Sequence, residues 1–261
     1  MADQGWKEVK FKVGDQELQA VTGGTGKPLL VLHGELGFPG WLKWNAALAA
    51  KRTLCIPLHP GFGKSPIADW IMTARDLAAF YSRFIREQKL TPCDVIGFSL
   101  GGWLAAEMAL ANPGQFSKLV LVGATGLRPP SGEIADLFTV TARTFLNRCV
   151  VDTQGEEFRK LFGGEQTPEQ YEAWEDARAE TARIAWQPYM FTQSMAHLLG
   201  NVVSLPTLVM WGKKDAIVPL AAGELYSKKI AGAKLVTFDC GHMPEVEKPD
   251  EFIREVTNFL G

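Results

Sequence analysis

Five short stretches of this chain, residues 28–32, 52–56, 93–96, 116–122 and 206–211, are dominated by apolar side chains. A strand with one wet face alternates polar and apolar residues, so a run this apolar must be covered on both faces. Segments of helical spacing lie between them. Residues 40–50 have helical composition, and in residues 73–87 Leu77, Phe80, Phe84 and Ile85 share one face, with Thr73 placed as the N-cap. Residues 100–111 form a third helix, stopped by Asn112-Pro113-Gly114. Strands separated by helices at this interval pair in parallel through right-handed crossovers. Residues 6–13 and 17–21 alternate instead, around a Gly14-Asp15 turn, and predict a hairpin of edge strands followed by a flexible link at 22–26. A helix at 220–230, a strand at 234–238 and a helix at 249–260 complete the pattern. The expected fold is α/β: a mostly parallel eight-stranded sheet with helices on both faces.

The rhythm breaks between residues 125 and 200, where there is no apolar strand, only helix-like segments at 133–148 and 169–184. We therefore expect a core built from residues 1–124 and 201–261, with 125–200 inserted as a helical cap. The chain of 261 residues is long enough for one such core. Its 27 basic and 29 acidic residues give a formal charge of −2, which offers no basic footprint for nucleic acid or acidic membranes. A small-molecule partner is expected, with the protein a monomer or homodimer. Cys55, Cys93, Cys149 and Cys240 contain no Cys-x-x-Cys pair, so they read as reduced thiols rather than a zinc or redox site. The first residues lack the basic start and apolar stretch of a secretion signal, and no run is long enough to span a membrane, so a cytoplasmic location is expected.

Val95-Ile96-Gly97-Phe98-Ser99-Leu100-Gly101-Gly102 presents one serine where an apolar strand gives way to a helix. This is the form of a nucleophile elbow, in which a strained turn holds a hydroxyl clear of the sheet. A serine hydroxyl is a poor nucleophile at neutral pH and needs a base, itself oriented by an acid. In a parallel sheet these partners belong beyond the C-terminal ends of strands. Asp215 follows the strand at 206–211, and His242 follows the strand at 234–238. No carboxylate stands in Gly123-Ala124-Thr125-Gly126 to replace Asp215, and Asp239 is too close to His242 in the chain.

With His33-Gly34, the elbow, Trp211-Gly212-Lys213-Lys214-Asp215-Ala216-Ile217-Val218-Pro219 and Gly241-His242-Met243-Pro244 in this order, nearly the whole chain resembles the α/β-hydrolase fold superfamily. It looks most like a serine carboxylesterase with a helical cap. The resemblance implies Ser99, Asp215 and His242 as the catalytic triad, backbone N–H groups of Glu35 and Leu100 as the oxyanion hole, and no metal or organic cofactor. Its implied reaction is cleavage of small carboxylic esters through an acyl-enzyme. Relatives with an aspartate or cysteine at the elbow, the haloalkane dehalogenases, epoxide hydrolases and dienelactone hydrolases, are excluded by Ser99. Carbon–carbon hydrolases of meta-cleavage products remain the alternative, although they typically carry Gly-Asn-Ser where this chain has Gly97-Phe98-Ser99. A slow-turnover ligand receptor of the same fold is a third reading.

His59 stands where the family more often has aspartate; His33 and His59 are expected to be structural loop histidines and His197 a cap residue. A carboxylate beside an oxyanion opposes the charge forming there, so the Glu35 side chain is expected to turn away or to pair with a cation or a water. Among Phe138, Phe145, Trp174, Trp186, Tyr189, Phe191, Met190 and Met195, only two or three are expected to reach substrate. Trp103 is expected in the core, and Arg128 is a candidate for a substrate carboxylate or a solvated hinge.

Overall fold

The computed structural model describes residues 5–202 and 204–261, so residues 1–4, read above for a leader, lie outside the described residues. Eight strands form one sheet: β1 (Trp6–Val13), β2 (Gln16–Gly23), β3 (Lys27–Leu32), β4 (Arg52–Pro57), β5 (Cys93–Phe98), β6 (Phe116–Val122), β7 (Thr207–Gly212) and β8 (Lys234–Phe238). Their order is β1-β2-β4-β3-β5-β6-β7-β8. The pairs β1–β2 and β2–β4 are antiparallel and all others parallel. The expected sheet is present, with one correction at its start. Of the two hairpin strands only β1 lies at an edge of the sheet, because β2 also pairs with β4, and Thr22 and Gly23 continue β2 opposite Cys55 and Leu54 instead of belonging to the link.

Ten α-helices accompany the strands among the described residues: α1 (Lys43–Ala49), α2 (Ala74–Glu87), α3 (Leu100–Ala111), α4 (Ala142–Arg148), α5 (Glu156–Phe162), α6 (Pro168–Ala185), α7 (Met195–Leu198), α8 (Leu220–Lys229), α9 (Pro244–Glu247) and α10 (Pro249–Leu260). The period of two along each strand divides the core. Leu30 and Leu32 of β3 join the layer of α2, α3 and α8, with Phe84, Leu104 and Tyr226. Leu29 and Val31 of the same strand join the layer of α1 and α10, with Leu48 and Phe252. Such two-sided cover is what made the strands legible as apolar runs. The caps act locally: the Thr73 side chain accepts from Asp76 N at 3.1 Å, opening α2 where the sequence predicted it.

The N-terminal edge of the parallel strands is closed electrostatically. Asp94 of β5 is fully buried and accepts from Arg52 Nη1, and from Lys27 Nζ at 2.8 Å. Arg52 also donates to the carbonyls of Leu260 at 2.6 Å and Gly261 at 2.8 Å, tying the end of α10 to the sheet.

Between β6 and β7 the described residues hold α4 to α7 and no strand, only an isolated bridge of Gly126 with Phe191. The helix expected at 133–148 is confined to α4. Its first part is held by tertiary partners instead: Ala135 N donates to Ile217 O, and the Tyr189 hydroxyl donates to Ala135 O and accepts from Leu137 N. Thr141 then caps α4 by accepting from Thr144 N. The segment expected at 169–184 is α6, opened by the Thr167 cap and Pro168. The seven-residue α5 was not anticipated, being too short for periodicity to mark. No described helix is long and apolar enough to cross a membrane.

Candidate active site

Ser99 sits between β5 and α3 with φ 47° and ψ −112°, in the region of positive φ that non-glycine residues rarely occupy. Its conformation is over-determined by the backbone around it. Ser99 N donates to Val122 O at 2.9 Å, and Ser99 O accepts from Gly102 N at 3.0 Å and Thr125 N at 3.1 Å. The glycines make the turn sterically feasible: a Cβ on Gly97 would stand 2.3 Å from Gly101 O, and one on Gly101 would stand 2.1 Å from Leu32 O. Ser99 is buried, and its Oγ has no hydrogen-bond partner among the described residues.

The structure brings the other two expected residues together. His242 Nδ1 lies 2.8 Å from Asp215 Oδ2, while Asp215 Oδ1 accepts from Ile217 N and Val218 N at 2.8 Å each. Asp215 therefore serves as a fixed acceptor that selects the tautomer with hydrogen on His242 Nδ1 and leaves Nε2 free. Gly123 makes room for the ring, since a Cβ there would come within 2.8 Å of His242 Cε1. The backbone of His242 is held from the helical segment: its N–H donates to Cys149 O at 2.6 Å. Glu247 reinforces that junction, accepting from Gly241 N at 2.6 Å, Val151 N at 2.9 Å and Asp152 N at 3.1 Å. Neither Cys149 nor Glu247 was singled out from the sequence, because a carbonyl acceptor and a loop anchor leave no residue pattern.

Burial alone would depress the His242 imidazole. The Asp215 charge and hydrogen bond, joined by the charges of Glu35 and Glu245, outweigh burial and raise it to about 9. Glu245, on α9 three residues beyond His242, is itself raised to about 7 by burial, against a bond from its own backbone N–H and the charge of His242. Sequence reasoning missed this carboxyl.

Leu100 N opens α3, where the first N–H groups have no acceptor within the helix. Glu35 N is oriented through its own peptide plane. In a trans peptide the N–H points opposite the preceding C=O, so whatever holds Gly34 O also aims Glu35 N–H. Gly34 O accepts from Gly37 N at 3.2 Å and lies 2.8 Å from His33 Nδ1. His33 Nε2 accepts from His59 N at 3.1 Å, which requires the proton on Nδ1 and makes that ring the donor to Gly34. His59 in turn donates from Nε2 to His33 O at 3.0 Å and meets the Tyr81 hydroxyl at 2.5 Å through Nδ1. The two rings pack with centroids 3.7 Å apart, their planes tilted by 33°. Burial depresses His33 to about 4, opposed by its bond to Gly34 O, and burial with the neighbouring ring holds His59 well below the usual imidazole range, opposed by its bond to His33 O. Both are neutral supports of the loop, in keeping with the structural role expected of them.

Ser99, His242, Glu35 and Glu245 line one cavity of about 210 Å³. Its walls come from the sheet side (Trp44, Phe98) and from the helical segment (Phe145, Phe162, Trp174). Of the eight aromatic and methionine residues noted between 125 and 200, only Phe145 and Trp174 reach it. Trp103 is buried, donating to Glu107 and Thr192, as expected. Arg128 lies in a separate hollow with Phe191, Thr192 and Gln193, away from Ser99, and His197 is exposed. The Glu35 side chain departs from expectation: it is buried, lines the cavity, and makes no ion pair or side-chain hydrogen bond among the described residues, its Oε2 being enclosed without a partner.

Comparison with known proteins matches residues 27–249 to the model of the alpha/beta hydrolase fold. A 2-hydroxy-6-oxononadienedioate/2-hydroxy-6-oxononatrienedioate hydrolase of Cupriavidus pinatubonensis is 28% identical over 97% of this chain and 94% of its own. A pimeloyl-[acyl-carrier protein] methyl ester esterase of Aeromonas hydrophila is 26% identical over 91% of this chain and 97% of its own. The solved meta-cleavage product hydrolase of Pseudomonas fluorescens superposes with a TM-score of 0.79 at 20% identity, covering 97% of both chains, a likeness of fold. By its sheet, its elbow and this match, the chain belongs to the alpha/beta hydrolase fold family.

Proposed function

We propose that the protein is a serine hydrolase that cleaves small carboxylic esters, with residues 125–200 acting as a helical cap over the site. The observation that carries this reading is the strained Ser99 in the same cavity as a His242 fixed by Asp215. Ser99 Oγ attacks the ester carbonyl as its proton passes to His242 Nε2, and the N–H groups of Glu35 and Leu100 bind the oxyanion. Collapse of the tetrahedral intermediate breaks the carbon–oxygen bond, and His242 returns the proton to the leaving alkoxide. A water then attacks the acyl-enzyme, giving its proton to His242, and the acid departs as Ser99 Oγ is reprotonated. The sequence carries no need for a metal or organic cofactor in these steps.

Two relatives support different bonds: the Aeromonas protein is named for a methyl ester, the Cupriavidus protein for a dienedioate. We favour the ester because Phe98 precedes Ser99 and because no lysine or arginine is among the residues lining the cavity to receive a substrate carboxylate. A panel of p-nitrophenyl esters of increasing acyl length tests the reading, with the acyl-enzyme sought on Ser99 by mass spectrometry. Hydrolysis of short acyl chains is expected. A folded protein that turns over none of them refutes the ester reading, faster cleavage of a meta-cleavage dienone selects the carbon–carbon alternative, and tight binding without turnover selects a receptor.

A further inference from the structure

Two buried carboxyl groups line the cavity and are used by no step above. Glu35 is 4% exposed and Glu245 is 7% exposed, and each has an Oε2 enclosed without a hydrogen-bond partner among the described residues. A carboxylate taken out of water is costly unless a cation or several donors compensate it, as Arg52 and Lys27 compensate Asp94 elsewhere in this protein. No lysine or arginine lines the cavity. Its remaining walls include the rings of Trp44, Phe98, Phe145, Phe162 and Trp174, whose faces attract cations.

We propose that Glu35 and Glu245 form a cation subsite, so that the preferred substrates of this hydrolase are esters carrying an ammonium group. The proposal rests on the serine-hydrolase reading and narrows its substrate class. A bound ammonium supplies the permanent counter-charge that no lysine or arginine of the cavity provides, and it offsets the opposition of Glu35 to the oxyanion formed beside its own N–H. Both glutamates also hold His242 toward its protonated form, so a cation between them and the ring favours the neutral imidazole that acts as base. A substrate carboxylate meets the reverse of each effect.

The test compares kcat/KM for esters of matched shape. On the acyl side, ethyl aminohexanoate with its amine at the chain end is set against ethyl heptanoate and monoethyl pimelate. On the alcohol side, butyrylcholine is set against its carbon isostere, dimethylbutyl butyrate. The ammonium ester is expected to exceed its neutral isostere by about tenfold or more in at least one series, with the carboxylate ester the poorest. In the E35Q/E245Q double variant that ratio should fall to within about twofold of unity, and a ratio taken within one preparation is insensitive to lost active protein. An ammonium preference that survives in the double variant overturns the subsite. Neutral esters hydrolysed at least as well as ammonium esters in both series by the native enzyme overturn it too, leaving the hydrolase reading intact. Failure to hydrolyse any of these esters overturns both.

Discussion

The two ends of the parallel sheet bury carboxylates in opposite ways. At the N-terminal end, Asp94 is bonded by Arg52 and Lys27, and Arg52 is bonded in turn to the last carbonyls of the chain. At the C-terminal end, Asp215 is satisfied by two backbone N–H groups and His242, but Glu35 and Glu245 each bury an Oε2 without a hydrogen-bond partner among the described residues, and no lysine or arginine lines their cavity. Polar groups buried for stability are expected to be fully satisfied, whereas an unsatisfied one marks a place where stability has been given up for binding or chemistry. The difference teaches which end of this fold holds itself together and which end waits for something else.

The contrast can be broken most decisively at Ser99. Ser99→Ala should lower ester kcat/KM by about ten-thousandfold or more while leaving the melting transition nearly unmoved, because the elbow is held by backbone bonds rather than by Oγ. A variant retaining a tenth of native turnover would remove Ser99 as nucleophile. At the other end, Asp94→Ala should cost about 3–5 kcal/mol of unfolding free energy, since it strands a buried arginine. Urea denaturation measures it, and a loss below about 1 kcal/mol would mean the N-terminal edge is not what fastens β3, β4 and β5.

The pH profile probes the C-terminal end alone. In the proposed mechanism His242 is the base only when neutral, and its raised value of about 9 means that the neutral form is gained as pH rises. Ester kcat/KM should therefore climb by up to about tenfold per unit between pH 6 and 8 and level near 9, as far as the release of Glu245 near 7 permits. A profile already flat above pH 6 would show that the acidic groups do not act on His242. The smallest effect is expected behind the loop that carries Glu35. Tyr81→Phe removes the hydroxyl that meets His59 at 2.5 Å and should cost about 1–2 kcal/mol of stability with a several-fold loss in kcat at little change in KM. A change in KM alone would show that this network does not aim Glu35 N–H.

Several elements were legible because their signals are local. The buried parallel strands announced themselves through their apolar runs, α3 through its Asn112-Pro113-Gly114 stop, and α2 through Thr73. Ser99, Asp215 and His242 could be named because a strand end, a glycine turn and one reactive residue are adjacent in the chain. The helical segment was read less well: Phe145 and Trp174 lie on the cavity while Trp186, Tyr189 and Phe191 do not, and their spacing in sequence carries no sign of it. There the backbone follows tertiary bonds such as those of Tyr189 to Ala135 and Leu137 rather than its own periodicity.

By itself the sequence determined the parallel sheet and the identity and order of the three candidate catalytic residues, since hydrophobic period and turn chemistry act over a few neighbouring residues. Only the tertiary structure decided that His33, His59 and Tyr81 form one hydrogen-bonded support for the loop that carries Glu35. It alone decided that Glu35 and Glu245, 210 positions apart in the chain, line one cavity with no lysine or arginine among its walls. Burial and electrostatic compensation depend on which distant side chains share a volume, and a linear pattern does not hold that information.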